Sequence, residues 1–151
     1  MFELFIEKFN IQKTSTISGE DVFVLDNSIV NNALEELKNF PEYGFDILLS
    51  YFAVDRIEEN CFEIFYELYS LGLNKNLILK TTISRDNAQI NSITNIFASA
   101  VFDEREMYDL FGINFVGHKN LRRILLPNDW IGYPLRKDYQ QTDERLVWNV
   151  R

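Results

Sequence analysis

Three carboxylates, Glu104, Glu106 and Asp109, fall within one six-residue window of this 151-residue chain. Carboxylates at such spacing can serve as general acid and base. On a helix, Glu106 and Asp109 share a face at i, i+3, whereas Glu104 and Asp109 lie on different sides. Capping and ion pairing account for them more simply. Asp103 is placed to N-cap a short helix, with Glu106 closing a capping box and Phe102 and Met107 at the staple positions. Glu104 and Glu106 suit the positive end of that helix. Arg105 and Asp109 form an i, i+4 surface pair, as do Glu104 and Tyr108 by position. His118 is the sole histidine. It could ligate a metal or move a proton, but without a second histidine a hydrogen-bonded structural or interface role fits better. Cys61, the sole cysteine, excludes an intramolecular disulfide, a CxxC pair and a self-contained cysteine-ligated iron-sulfur cluster. It sits in a strand-like run, where a small core hydrophobe fits better than a nucleophile. The chain carries no glycine-rich phosphate loop.

Charge is unevenly distributed. The formal net charge is −8, yet residues 118–139 carry Lys119, Arg122, Arg123, Arg136 and Lys137 against only Asp129 and Asp138. A cationic segment on an acidic body implies a particular anionic surface. Nucleic acid is a poor candidate, since the rest of the domain would repel phosphate. A hydrophobic fraction of 46% argues for a folded core, and no apolar run approaches the roughly 18–20 residues needed to span a bilayer. The N-terminus has neither a basic signal-peptide region nor an Arg-rich transit pattern, so a cytosolic-type compartment, or synthesis within an organelle, is expected.

The elements that must position these residues follow from periodicity. Phe2, Phe5, Ile6 and Phe9 predict a short amphipathic helix. Residues 14–21 read as a loop and Val22–Leu25 as a strand. Ser28 is placed to N-cap a helix through Asn39, with Ile29, Ala33, Leu34 and Leu37 as its stripe. Strands are predicted at Phe45–Val54, Cys61–Tyr69 and Asn76–Ser84, joined by short links as an antiparallel meander. In the second of these, Phe62, Ile64, Tyr66 and Leu68 face one side. A further helical region opens at Asn91–Thr94, with Ile93, Ile96 and Phe97 as its apolar side. The helix begun by Asp103 has about two turns, is marginal alone, and ends at Gly112 as a left-handed cap. The expected architecture is α+β: a two-layer sandwich with a largely antiparallel or mixed sheet and helices on one face. Residues 1–112 form the globular part and 113–151 an extended C-terminal docking segment, one structural domain in all. Arginine and aromatic residues interleaved in that segment have the composition of an interface core. Pro127 and Pro134 pre-set extended backbone, and arginine suits bidentate pairing with a partner carboxylate.

At these residues the chain resembles a known family. Glu104-Arg105-Glu106, Tyr108-Asp109, Phe111-Gly112, Gly117-His118, Leu121-Arg122-Arg123-Ile124-Leu125, Pro127, Trp130, Gly132 and Pro134-Leu135-Arg136-Lys137-Asp138-Tyr139 are similar to the signature of the 30 kDa subunit of respiratory complex I, NuoC in bacteria, and to its chloroplast counterpart. The likeness is close over residues 99–139. Phe102 stands where the family usually has tryptophan. Lys119-Asn120 follows His118 where a proline is common, and Gln140 replaces a proline. The Leu126-Pro127-Asn128-Asp129-Trp130 block resembles bacterial versions, and the chain ends soon after Trp148, without the longer tail of mitochondrial forms.

The resemblance implies a structural subunit of a proton-pumping NADH:quinone oxidoreductase, with no catalytic, cofactor or metal residues of its own and the signature serving as partner interface. FMN, iron-sulfur clusters and quinone would belong to other subunits. The implied partners are the 49 kDa-type quinone-site subunit (NuoD type), the terminal-cluster subunit (NuoB type) and other peripheral-arm subunits. The implied place is the cytoplasmic face of the bacterial inner membrane, or an organellar equivalent. An equivalent subunit of a membrane-bound hydrogenase or other complex I-like oxidoreductase, and a free-standing enzyme built on the acidic helix, are the alternatives.

Overall fold

The computed structural model describes residues 2–15 and 19–141. Residues 142–151, including Trp148 and the end of the expected docking segment, lie outside the described residues. The order of elements is α1 (Phe2–Lys8), β1 (Gln12–Ser15), β2 (Asp21–Val24), α2 (Val30–Asn39), β3 (Ile47–Arg56), β4 (Cys61–Ser70), β5 (Lys75–Ser84), β6 (Gln89–Asn91), α3 (Ala100–Phe111) and β7 (Asn114–Val116).

Five strands make one sheet in the order β1-β2-β5-β4-β3, and β6 pairs with β7 separately. The β3-β4-β5 meander is antiparallel as expected. β2 joins β5 in parallel, so the sheet is mixed. Part of β1 falls in the stretch that reads as loop from sequence. It pairs with β2 along its whole length, but all four residues are exposed, so the alternation that marks a half-buried strand is missing.

Alternation correctly locates the core face of β4. Phe62, Ile64, Tyr66 and Leu68 are fully buried. Leu77, Leu79 and Ile83 of β5 and Tyr51 and Ala53 of β3 are buried with them, and the Tyr51 and Tyr66 rings stack across the strands at 4.7 Å. Cys61 falls on the opposite face and is only half-buried, which corrects its reading as a core hydrophobe. Burial raises its thiol pKa, with Glu59 and Glu63 adding to the effect. In β3 the register slips between Leu48 and Ser50. Leu49 is therefore carried outward and exposed.

Helix α2 buries Val30, Ala33, Leu34 and Leu37. Asp26, rather than Ser28, supplies the cap: its carboxylate accepts from the Ser28 N–H at 2.8 Å and opens a single 3₁₀ turn ahead of the α-helix. Helix α1 stacks Phe2, Phe5 and Phe9 on Phe23 and Tyr43 and pairs Lys8 with Glu36 of α2.

The helical region expected to open at Asn91–Thr94 does not form there, although Ile93, Ile96 and Phe97 are buried as its apolar side required. Side chains from two helices take the backbone groups that a helix would use. Asn31 donates to the Ser92 carbonyl at 3.0 Å, and the Lys38 ammonium to the Ile96 carbonyl. The Ile93 N–H donates to Glu104 Oε1 at 2.7 Å, and the Ser92 hydroxyl to Oε2 at 2.7 Å. The chain therefore turns at 92–97, and the helical run starts at Ala100. Asp103 lies inside the first turn of α3, so it is not a cap, and Ser99, at the N-cap position, makes no side-chain capping hydrogen bond. The expected staple is absent too: Phe102 is exposed while Met107 is buried.

Glu104 is fully buried. That burial raises its pKa from 4.5 to about 7, against the lowering effect of the Ile93 and Ser92 hydrogen bonds. Between these values the folded chain holds a proton that the unfolded chain has released. The stability gained from that proton is complete below pH 4.5 and is lost as pH rises towards 7, at up to about 1.4 kcal/mol per pH unit. Glu104→Gln, which keeps a neutral acceptor, is expected to flatten this limb of the urea-midpoint curve between about pH 5 and 7. An unchanged slope would show that Glu104 does not titrate there.

Candidate functional site

The three carboxylates of the acidic window diverge. Glu104 points into the turn at 92–93. Glu106 is exposed. Asp109 points to the opposite side of α3 and is fully buried. No acid-base pair is assembled from them.

Asp109 instead receives the C-terminal segment. One oxygen, Oδ2, accepts the consecutive N–H groups of Ile124, Leu125 and Leu126 at 2.9, 2.7 and 2.9 Å. The other, Oδ1, accepts from Arg123 Nη1 at 2.7 Å. Three successive amides aimed at one oxygen form an anion-binding concavity. Burial alone would raise the Asp109 pKa. The three amides and the guanidinium outweigh it, so the carboxyl lies below its ordinary value. Its contribution to stability is present above the usual carboxylate pKa and lost as pH falls through the lowered one. The expected Arg105–Asp109 surface pair is thereby overturned. Arg105 donates to the carbonyls of Arg122 and Arg123, each at 3.1 Å.

Further anchors follow along the segment. Arg123 also reaches the carbonyls of Trp130 and Gly132. Arg136 donates through Nε to the Phe111 carbonyl at 2.7 Å, and the Leu135 N–H donates to the Leu110 carbonyl at 3.1 Å. The Tyr133 ring lies between the two guanidiniums, 5.7 Å from Arg123 and 5.0 Å from Arg136, which is cation–π range. Gly112 caps α3 as expected, with φ +74° and its N–H on the Tyr108 carbonyl. It is also the contact floor for Tyr133: a Cβ there would sit 2.5 Å from the ring.

At the sheet end, Arg85 grips two carboxylates. It meets Asp55 through Nε and Nη2 at 2.7 and 3.0 Å and Asp138 through Nη2 and Nη1 at 2.5 and 3.2 Å. Asp55 Oδ2 also accepts the Lys137 N–H at 2.8 Å. Burial acts to raise the Asp55 pKa, but these donors hold it below the ordinary value. Sequence patterning singles out neither Asp55 nor Arg85. The available signal is parity, since Asp55 continues the buried face of Tyr51 and Ala53 in β3.

His118 is hydrogen-bonded, as expected. Nδ1 accepts the Asn120 N–H at 3.0 Å, which leaves Nε2 to donate to the Val101 carbonyl at 3.2 Å. Among the described residues no three His, Cys, Asp or Glu side chains gather where they could hold a metal ion. No described helix is long and apolar enough to cross a membrane.

The signature residues and their neighbours therefore divide into two groups. Asp109, Gly112, Leu121, Arg123, Tyr133 and Arg136 turn inward, and the pairing of Arg123 with a carboxylate takes place within the chain. Ile124, Leu125, Pro127, Ile131, Leu135, Arg122 and Lys137 face outward, with Leu125 59% and Ile131 78% exposed.

In this chain a helix-terminal Tyr-Asp/Phe-Gly pair holds a Leu-Arg-Arg segment, and residues 23–145 match the model of the respiratory-chain NADH dehydrogenase 30 kDa subunit. The chain belongs to that family. The NuoC-type subunit of the NADH-quinone oxidoreductase of Rickettsia typhi is 46% identical over 110 residues, 72% of this chain and 55% of that subunit. The fused C/D polypeptide of the NADH-quinone oxidoreductase of Chromohalobacter salexigens is 34% identical over 133 residues, 83% of this chain but 22% of that protein. The chain thus spans about a fifth to about a half of the length of these relatives. Among solved structures, a chain of an archaeal membrane-bound sulfane sulfur reductase aligns with a TM-score of 0.78 at 25% identity, covering 93% of this chain and 84% of that one. A trypsin-resistant fragment of Nqo5 aligns with a TM-score of 0.65 at 27% identity, covering 80% and 96%.

Asp109→Ala would leave the Arg123 guanidinium and three amide groups without their acceptor. It is expected to cost about 3–5 kcal/mol in urea unfolding and to open the Arg122-Arg123 bond to trypsin. A variant as stable and as protease-resistant as the parent would refute the anchoring role.

Proposed function

We propose that this chain is a docking subunit of the peripheral arm of a proton-pumping NADH:quinone oxidoreductase, binding no cofactor and bracing the NuoD-type quinone-site subunit. The observation that supports it most is the outward half of the signature. Once Asp109, Arg123 and Arg136 are engaged within the chain, Leu125, Ile131 and Leu135 remain as exposed apolar side chains on a pinned segment. Lys119, Arg122 and Lys137 are exposed in the same stretch of chain. Exposed apolar and basic side chains on a pinned segment suit a protein partner with apolar and acidic residues, because the ordering entropy is lost at folding rather than at binding.

The partner reading draws on the fused C/D relatives, in which a region like this chain is part of a longer protein. The terminal-cluster subunit would sit beyond that partner, FMN, iron-sulfur clusters and quinone would reside elsewhere in the complex, and the chain would lie peripherally at the cytoplasmic face of the membrane. A second reading, an equivalent place in a related membrane-bound reductase, is favoured by the likeness to the sulfane sulfur reductase chain.

Leu125→Asp with Ile131→Asp is expected to lower recovery of a NuoD-type subunit with the tagged chain at least tenfold while leaving the urea midpoint within about 0.5 kcal/mol of the parent. Equal recovery would overturn this surface. Recovery of a hydrogenase- or reductase-type large subunit without NADH-oxidising companions would select the second reading.

A further inference from the structure

β3 is the outermost strand of the five-stranded sheet, and it is ten residues long. Outside its ladder with β4, none of its backbone groups makes a backbone hydrogen bond among the described residues. Long free edges are normally blunted by proline, lysine or a covering segment. β3 has no proline or lysine, and its one irregularity, the bulge at Leu48–Ser50, leaves Ser50–Val54 in regular register.

This edge borders a groove of about 340 Å³. It is lined by Leu49–Ala53 of β3, by Met107 and Phe111 of α3 and by Leu135 of the pinned C-terminal segment. Three large apolar side chains are exposed along it: Leu49 at 51%, Phe52 at 44% and Leu135 at 50%. Asp103 and Glu106 also line the groove. They are close enough for Glu106 to add to the burial that raises the Asp103 pKa. Neither has an ion pair or hydrogen bond among the described residues. The groove therefore combines unpaired strand backbone, apolar pockets and two uncompensated carboxylates.

We propose that β3 is a strand-addition site, which takes an extended segment of a partner chain alternating apolar residues with Lys or Arg. In such docking, backbone hydrogen bonds supply affinity and alternate side chains supply specificity. Apolar side chains of the incoming strand would meet Leu49 and Phe52, and its cations, on the alternate face, would meet Asp103 and Glu106. A second copy of this chain is the wrong occupant, because it would bring its own uncompensated Asp103 and Glu106, and not the cations that these carboxylates call for. The proposal takes from the docking reading only that a partner chain exists.

The test uses the full chain and two ten-residue peptides, one alternating Val with Lys and one alternating Val with Glu. Amide hydrogen exchange is followed residue by residue. The Val/Lys peptide is expected to slow exchange at Ser50–Val54 at least tenfold, and the Val/Glu peptide to leave it unchanged. The Asp103→Lys, Glu106→Lys double variant is expected to reverse that preference, and the neutral Asp103→Asn, Glu106→Gln variant to abolish it. Three results would overturn the site: no protection of β3 by the Val/Lys peptide, the same response to both peptides, or protection that persists equally in both variants. Concentration-dependent self-association that protects β3 without peptide would assign the edge to a second copy instead. Failure of the docking reading is distinguishable, since the tagged chain would then recover no NuoD-type subunit while the Val/Lys peptide still protected β3.

Discussion

A carboxylate buried on the far side of a helix fixes the course of the segment that begins at Arg123. Removing Asp109 from water costs several kcal/mol, and hydrogen bonds to a charged group return about 1.5–3 kcal/mol each. One donor would not settle that balance. Four do: the amides of Ile124, Leu125 and Leu126 and the Arg123 guanidinium. Because three of them are successive backbone groups, Asp109 fixes a backbone conformation as well as a contact. Arg123 then transmits the constraint to Trp130 and Gly132, and Tyr133 is set between two guanidiniums against the bare Cα of Gly112.

Two other polar centres complete this framework. Arg85 ties the far end of the segment to the sheet through Asp138 and Asp55. Glu104 ties the turn at 92–93 to α3 from the core side. The two helix carboxylates are tuned in opposite directions. Glu104 has two neutral donors and burial prevails, so it tends to keep its proton. Asp109 has three amides and a cation, so it stays ionised. The same helix therefore carries an acid-tolerant anchor on one side and an acid-sensitive one on the other.

With the polar residues occupied in this way, the proposed docking surface is made from what is left over. The inward half of the signature pins the segment, and the outward half leaves Leu125 and Ile131 exposed. A family pattern that mixes both kinds of residue looks uniform along the chain, because packing and docking each favour arginine, aromatic and proline residues. The β3 edge adds a second kind of surface, one defined by backbone rather than side chains.

The amino-acid sequence by itself determined the elements whose apolar residues repeat: α1, α2, the three meander strands, the buried face of β4 and the Gly112 cap. It determined membership of the family through the 99–139 pattern, and the hydrogen-bonded role of His118. It did not disclose β1, which buries nothing, or the parallel β2–β5 contact, which depends on how distant segments meet. Nor did it place the start of α3, because the local capping pattern at Asp103 competes with donors and acceptors brought in from Asn31, Lys38 and Glu104. The tertiary structure alone decided where Arg123 finds its carboxylate. Local spacing proposes Arg105 as the partner of Asp109, whereas burial demands enough donors to offset desolvation, and these come from a segment more distant in the chain.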